Sequence, residues 1–340
     1  MKVHADIEGL AFNAMKSLML HEASEHGLPI LAQSDSALTV GTEYGSFGIT
    51  AQQKIGLRLE VEADRQDNLH VLRDSLVGHI AHFLPEVADT IAWSDTVDAG
   101  SFPPNFQFAT VVGSRKLSAD FLRLTIDLSK PDAFDDRAIH FRFVLPKHAD
   151  GDPEWPKLAP NGSTKWPVGD KALHRPVYTV RTVVGATIEV DVFIHEGGQA
   201  SDWATSVQLG QEVAIIGPGG GGVLDEHSVV MVADETGYPA IARMLDALPN
   251  TATGKVVLLS HSGAKDYPMP KHDGVEVVFE NETGFVRAAE AALEKHPNCY
   301  AWVAAEQAHI AQIRQSDAMM AIPKKQRYVA AYWTRGKPAP

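Results

Sequence analysis

Cysteine is nearly absent. Cys299 is the single one in 340 residues, which excludes an intrachain disulfide, a thiolate-held iron–sulfur cluster and a cysteine-built zinc site. Any redox chemistry must therefore come from an organic cofactor or a bound metal complex. Long apolar runs are missing too. No window approaches the roughly 18 consecutive apolar residues that a spanning helix needs, and the opening "MKVHADIEGLAF" has no sustained apolar core behind its lysine. A cytoplasmic protein without membrane insertion is expected. Positive charge is scarce: 30 Lys and Arg stand against 43 Asp and Glu, a net charge of −13. That balance argues against a nucleic-acid partner, because phosphate backbones are held by excess cationic charge. The histidines offer no metal-ligand set, since His79 and His82 in "GHIAHF" share a helix face without a third ligand nearby.

What is present divides the chain into three. Residues 1–95 read as a small α+β domain: helical periodicity in "AFNAMKSLMLHEASEHG" and "NLHVLRDSLVGHIAHFL" encloses the alternating stretches "ALTVGTEYGSFGITA" and "IGLRLEVEA". The turn-rich "WSDTVDAGSFPPNF" reads as a linker. Over 106–224 come short strands rich in β-branched and aromatic residues, "FATVVGSRKL", "DFLRLTIDL", "AIHFRFVLP", "PVYTVRTVV" and "TIEVDVFI", spaced as in an antiparallel β-barrel. "PKHADGDPEWPKLAPNGSTKWPVGDKAL" interrupts them with five prolines and is expected to be mobile surface, and "GPGGGG" at 217–222 a flexible turn. From 225 to 340, apolar strands alternate with helices, which predicts a doubly wound parallel sheet.

Three stretches carry chemistry. In "HRPVYTVR", residues 174–181, a strand holds Arg175, Tyr178, Thr179 and Arg181. An aromatic face, a hydroxyl and cations suit a flat ring system carrying a diphosphate. About twenty residues on, "HEGGQASDWATSV" opens a helix through the small residues Ala200 and Ser201, and such a helix start admits a phosphate close to its backbone N–H groups. After the strand "SVVMVAD", Asp234, Glu235 and Thr236 fall where a doubly wound sheet places a dinucleotide. The glycine-rich fingerprint is missing there, and the two acids are expected mainly to cap the following turn. The end "PKKQRYVAAYWTRGKPAP" carries Lys324, Lys325, Arg327, Arg335 and Lys337 with no acid.

Residues 106–335 resemble the siderophore-interacting proteins, flavoproteins of the ferredoxin-reductase superfamily that reduce ferric siderophores. The resemblance rests on "RPVYTVR", "HEGGQASDWA", "DETGYPA" and "AYWTRG" in that order. It implies FAD on a β-barrel and NADH or NADPH as donor on the C-terminal sheet, with Arg175, Tyr178, Thr179, Val180, Arg181, His195, Gly198, Ala200, Ser201 and Trp203 around the flavin. Asp234, Glu235 and Thr236 would border the nicotinamide. Arg175 stands one residue further from the tyrosine than the family's arginine. The implied partner is a ferric siderophore, held by Lys324, Lys325, Arg327 and Arg335, and the alternatives are a general or ferredoxin-linked flavin reductase and a siderophore-binding module without turnover. Residues 1–95, chiefly "LRLEVEADRQDNLHVLRDSLVGHIAHF", resemble a small bacterial domain that occurs alone or fused to such flavoproteins, which assigns them no activity.

Overall fold

A computed structural model describes the chain apart from residues 26, 53–55, 148–151 and 337–340. Lys337 thus lies outside the described residues. The chain forms two compact units, Met1–Phe106 with Pro146–Leu173, and Gln107–Leu145 with His174–Pro340.

In the first unit five antiparallel strands run in the order Lys2–Glu8, Gly56–Glu62, Gly45–Gln52, Ala37–Thr42, Ile30–Gln33. The first follows from strict alternation, with Val3, Ala5 and Ile7 buried between polar neighbours. Helices Phe12–Glu25 and Gln66–Phe83 close the core, the second through Leu69, Leu72, Leu76 and Ile80 at helical spacing.

The five-proline segment, expected as mobile surface within the barrel domain, belongs to this first unit. Its polar backbone is tied down. Asn161 accepts from Trp93 Nε1 through its carbonyl at 2.8 Å and donates Nδ2 to the Ala88 carbonyl at 3.0 Å. Thr164 donates its N–H to Asp74 Oδ1 at 2.7 Å, and its hydroxyl meets His70 Nε2 at 3.1 Å. Trp93, at the start of the expected linker, is buried. The Arg73 guanidinium lies 5.0 Å from its ring centroid and pairs with Asp95 at 2.8 Å.

The second unit holds two sheets. Strand His140–Pro146 is flanked by Val177–Thr179 on one side and by Glu212–Gly219 on the other; Phe106–Lys116, Phe121–Leu128, Thr187–Phe193 and Thr182–Val184 follow. These strands form the antiparallel sheet of the expected barrel. Gly219 still pairs with His140, so the turn expected over 217–222 begins only at Gly220. The other sheet is parallel, in the order Val275–Glu280, Thr253–Leu259, Ser228–Ala233, Tyr300–Glu306, Arg327–Trp333. Its fifth strand lies inside the segment read from its charge as a cationic end.

Gly162 tests how firmly the proline-rich segment is seated. Its φ is +78°, and a Cβ there would stand 2.4 Å from Arg73 Cδ and 3.3 Å from Trp93 Nε1. Gly162→Ala should lower stability by about 1–3 kcal/mol, through the left-handed backbone and the displaced arginine. A melting temperature equal to that of the unsubstituted protein would show that the segment is not packed as described.

Candidate functional site

The cationic strand and the small-residue helix meet on one core. Tyr178 pairs with Phe141 in the ladder, and its ring packs 5.1 Å from Phe143, which in turn lies 4.7 Å from Trp203 on the helix Gln199–Ser206. Ala200 and Ala204 enter the same cluster. Tyr178 and Trp203 therefore both pack against Phe143. Burial pushes the Tyr178 phenol far above its ordinary range, so it is a neutral ring. Thr179, buried beside it, pairs with His140.

Ahead of the helix, the chain folds back on its first turn. Ser201 donates its hydroxyl to the Phe193 carbonyl and accepts from the His195 N–H, both at 3.2 Å. The His195 imidazole lies over Gly198, where a Cβ would come within 2.5 Å of Cε1. Ser201 thus shapes the loop ahead of the helix.

The cations divide. Arg181 pairs with Asp246 at 2.7 Å, and its Nε is buried with no hydrogen-bond partner. Arg175 is partly buried, and its carbonyl accepts from Arg142 Nη1 at 2.8 Å. Burial, and next the charge of Arg175, lower the Arg142 pKa. Like charges near one another each disfavour the other's charged form. Arg142 was missed because "HFRFV" reads as a buried strand; the polar residue between two phenylalanines was the available signal. Val180, expected among the cofactor contacts, is spent on the protein. Its side chain is in the core, its N–H bonds the Ile139 carbonyl at 2.8 Å, and its carbonyl accepts from Arg243 at 2.6 Å.

At the carboxyl ends of the parallel strands the acids have defined partners. Asp234, 1% exposed, accepts from Thr236 N and Oγ1 through one oxygen, and from Glu306 N and Trp333 Nε1, both at 2.8 Å, through the other. Burial pushes its carboxyl upward against the pull of these hydrogen bonds. Glu235 grips the next strand end, taking His261 N at 2.5 Å and His261 Nδ1 at 2.7 Å. Capping was the expected role for both acids, and Asp234 performs it. Glu235 does more.

The four expected substrate cations do not form one patch. Arg335 follows the carboxyl end of the Arg327–Trp333 strand, where its N–H bonds Glu306 Oε1 at 3.0 Å. Lys324, Lys325 and Arg327 lie at the amino end, about 20 Å away at 3.3 Å per residue. Arg327 also donates to the Met319 carbonyl at 2.6 Å. A seven-residue strand separates what the charge pattern had joined.

His140 connects the two sheets. It faces Thr179 across the ladder and meets the Tyr332 hydroxyl through Nε2 at 2.9 Å. Burial and then the Arg243 charge lower its pKa from 6.5 to about 4. Above 6.5 both folded and unfolded forms are neutral. Between 6.5 and 4 only the unfolded chain takes the proton, so stability is lost as the pH falls, by about 3 kcal/mol at most. Urea unfolding across this range should show His140→Gln less acid-sensitive than the parent; parallel pH profiles would contradict the assignment.

Comparison with known proteins bears on the same residues. Residues 110–222 match the siderophore-interacting FAD-binding domain and residues 226–336 the siderophore-interacting protein domain. The NADPH-dependent ferric-chelate reductase of Escherichia coli is 27% identical over 239 residues, 67% of this chain and 92% of that one. Ferric vibriobactin reductase ViuB of Vibrio cholerae is 26% identical over 245 residues, covering 66% of this chain and 88% of its own length. Among solved structures, the siderophore-interacting protein SipS from Aeromonas hydrophila aligns at a TM-score of 0.59 with 21% identity, over 68% of this chain and 93% of that one. The ferredoxin reductase of carbazole 1,9a-dioxygenase aligns at 0.51 with 16% identity, over 72% and 71%. With both domain matches end to end over 110–336, the chain belongs to the siderophore-interacting protein family.

Proposed function

We propose that this chain uses FAD to pass electrons from a nicotinamide coenzyme to a ferric siderophore, so that iron(II), which the chelator binds more weakly, is released in the cytoplasm. The observation that carries this reading is the His140–Tyr332 contact. It brings the Thr179 strand, suited to a flavin ring, against the carboxyl edge of the parallel sheet, where a nicotinamide lies in doubly wound folds. The two relatives named as ferric reductases support the substrate class.

The residues present fit FAD. Tyr178 offers a neutral ring face and Thr179 a hydroxyl. The turn Gly198–Ser201 would offer a pyrophosphate the backbone N–H groups of a helix start beside the His195 imidazole. Arg181 keeps one buried donor unused, and Arg142 with Arg175 adds positive charge. When bound, FAD supplies the conversion of a two-electron hydride into single-electron transfers. Tyr178 and Thr179 would orient the ring from the strand.

Anaerobic mixing tests the reading. A nicotinamide coenzyme should bleach the FAD-loaded protein, and a ferric siderophore should restore the oxidised spectrum faster than ferredoxin does. Faster reoxidation by ferredoxin would favour the ferredoxin-linked reading instead. Arg181→Ala should weaken FAD binding by at least about tenfold, the scale of one charge-assisted contact. Asp246→Ala, which frees Arg181, should tighten it. Equal FAD affinity in all three proteins would remove Arg181 from the site.

A further inference from the structure

At the carboxyl edge of the parallel sheet one imidazole is held between two carboxylates. His261 follows the second strand, Thr253–Leu259, and its backbone and Nδ1 are bound by Glu235. Its Nε2 lies 3.0 Å from Glu282 Oε2. The other Glu282 oxygen is approached by His309 Nε2 at 3.3 Å and by Arg335 Nη2 at 3.4 Å. Ser260 donates to the Glu280 carbonyl at 2.9 Å, which sets the 260–262 turn directly beside the acidic turn after the third strand.

In a doubly wound sheet the residue after the second strand reads the adenosine ribose. A carboxylate there accepts the 2′-hydroxyl, and a free cation takes a 2′-phosphate. Here the side chain at that position already lies between Glu235 and Glu282. The hydrogen bond from Glu235 holds His261 above the ordinary histidine range, against the effect of burial, so its charge is matched within the network. Arg335 is likewise turned to Glu282. The amides of Thr283 and Gly284, at the start of the Phe285–Lys295 helix, are taken by Asn281 Oδ1 at 3.1 and 3.0 Å. A 2′-phosphate would have to displace Glu282 from its cations, and it would do so beside Glu235 and Glu280.

We infer that this edge selects NADH over NADPH, with Glu282, which engages His261, His309 and Arg335, as the residue that excludes the 2′-phosphate. This rests on reading the edge as the coenzyme site. It separates this chain from its E. coli relative, whose name specifies NADPH. The rival cations are Lys265 and Lys271, exposed on the loop between the second and third strands; if either captured the phosphate, the preference would be reversed.

The test uses the FAD-loaded full chain with two readouts: anaerobic flavin bleaching by NADH and NADPH, and calorimetric binding of NAD+ and NADP+. The unsubstituted protein should favour the coenzyme without the 2′-phosphate by about tenfold or more in both, the scale of one unfavourable charge contact. Glu282→Gln should narrow the ratio chiefly by improving the 2′-phosphorylated coenzyme, and Glu282→Lys should narrow it further. Equal use of both coenzymes, preference for NADPH, or ratios unchanged in both variants would overturn the inference while leaving the coenzyme site standing. Binding of neither coenzyme would overturn the inference together with the site.

Discussion

The buried Asp234 carboxylate sets the geometry on which the rest of the second unit depends. Its two oxygens take four donors from three places, the turn after the first parallel strand, the end of the fourth and the end of the fifth. Without it, the Glu306 amide and the Trp333 indole would be unpaired in the interior, at about 1–3 kcal/mol each. Fixing Trp333 has a further result. Ala305 faces Ala331 and Glu306 faces Trp333, so the register skips Tyr332. A bulge of this kind re-aims one side chain, and the skipped tyrosine is the one that reaches His140.

Arg243 makes the second tie. It sits on the helix Tyr238–Ala247 that follows Asp234, and it donates to the carbonyls of Val180 and Asp135 and to Asp136. Asp136 is largely exposed, so water screens that ion pair. The two carbonyls are the firmer partners, because the guanidinium is buried and each neutral acceptor there satisfies a donor that would otherwise be costly. The helix beside the coenzyme edge is thereby fixed to the residue that follows Thr179. Both halves of the electron path are positioned by buried polar contacts rather than by apolar packing alone.

Much of this was legible in the sequence, for a physical reason. Tyr178 with Thr179, and Ala200 with Ser201, lie within one strand and one helix turn, so short-range pattern locates them. The strands and helices of both sheets likewise follow from local alternation and helical spacing. What was hidden depends on contacts far apart along the chain. Asp234 finds Glu306 and Trp333, 72 and 99 positions on. Trp93 finds Asn161, which converts an apparent linker and a proline-rich loop into parts of the first unit. The end segment misled for another reason: five cations in the sequence drew attention from "RYVAAYW", whose own residues suit a strand, and that strand carries the charges to opposite ends.

Charge at the site is therefore local and divided by function. The carboxyl edge of the parallel sheet is acidic, through Glu235, Glu280, Glu282 and Glu306, whereas the antiparallel sheet and its adjoining loops carry Arg142, Arg175 and Arg181. Salt screens exposed charges beyond about 8 Å at physiological ionic strength, so the net −13 of the chain does not decide what approaches. At the parallel sheet the acids are matched within the protein, Glu235 by His261 and Glu282 by His261, His309 and Arg335. Because Glu235 and Glu282 already have partners of opposite sign, what approaches that edge is decided by whether it can displace a partner and not by the sum of the charges.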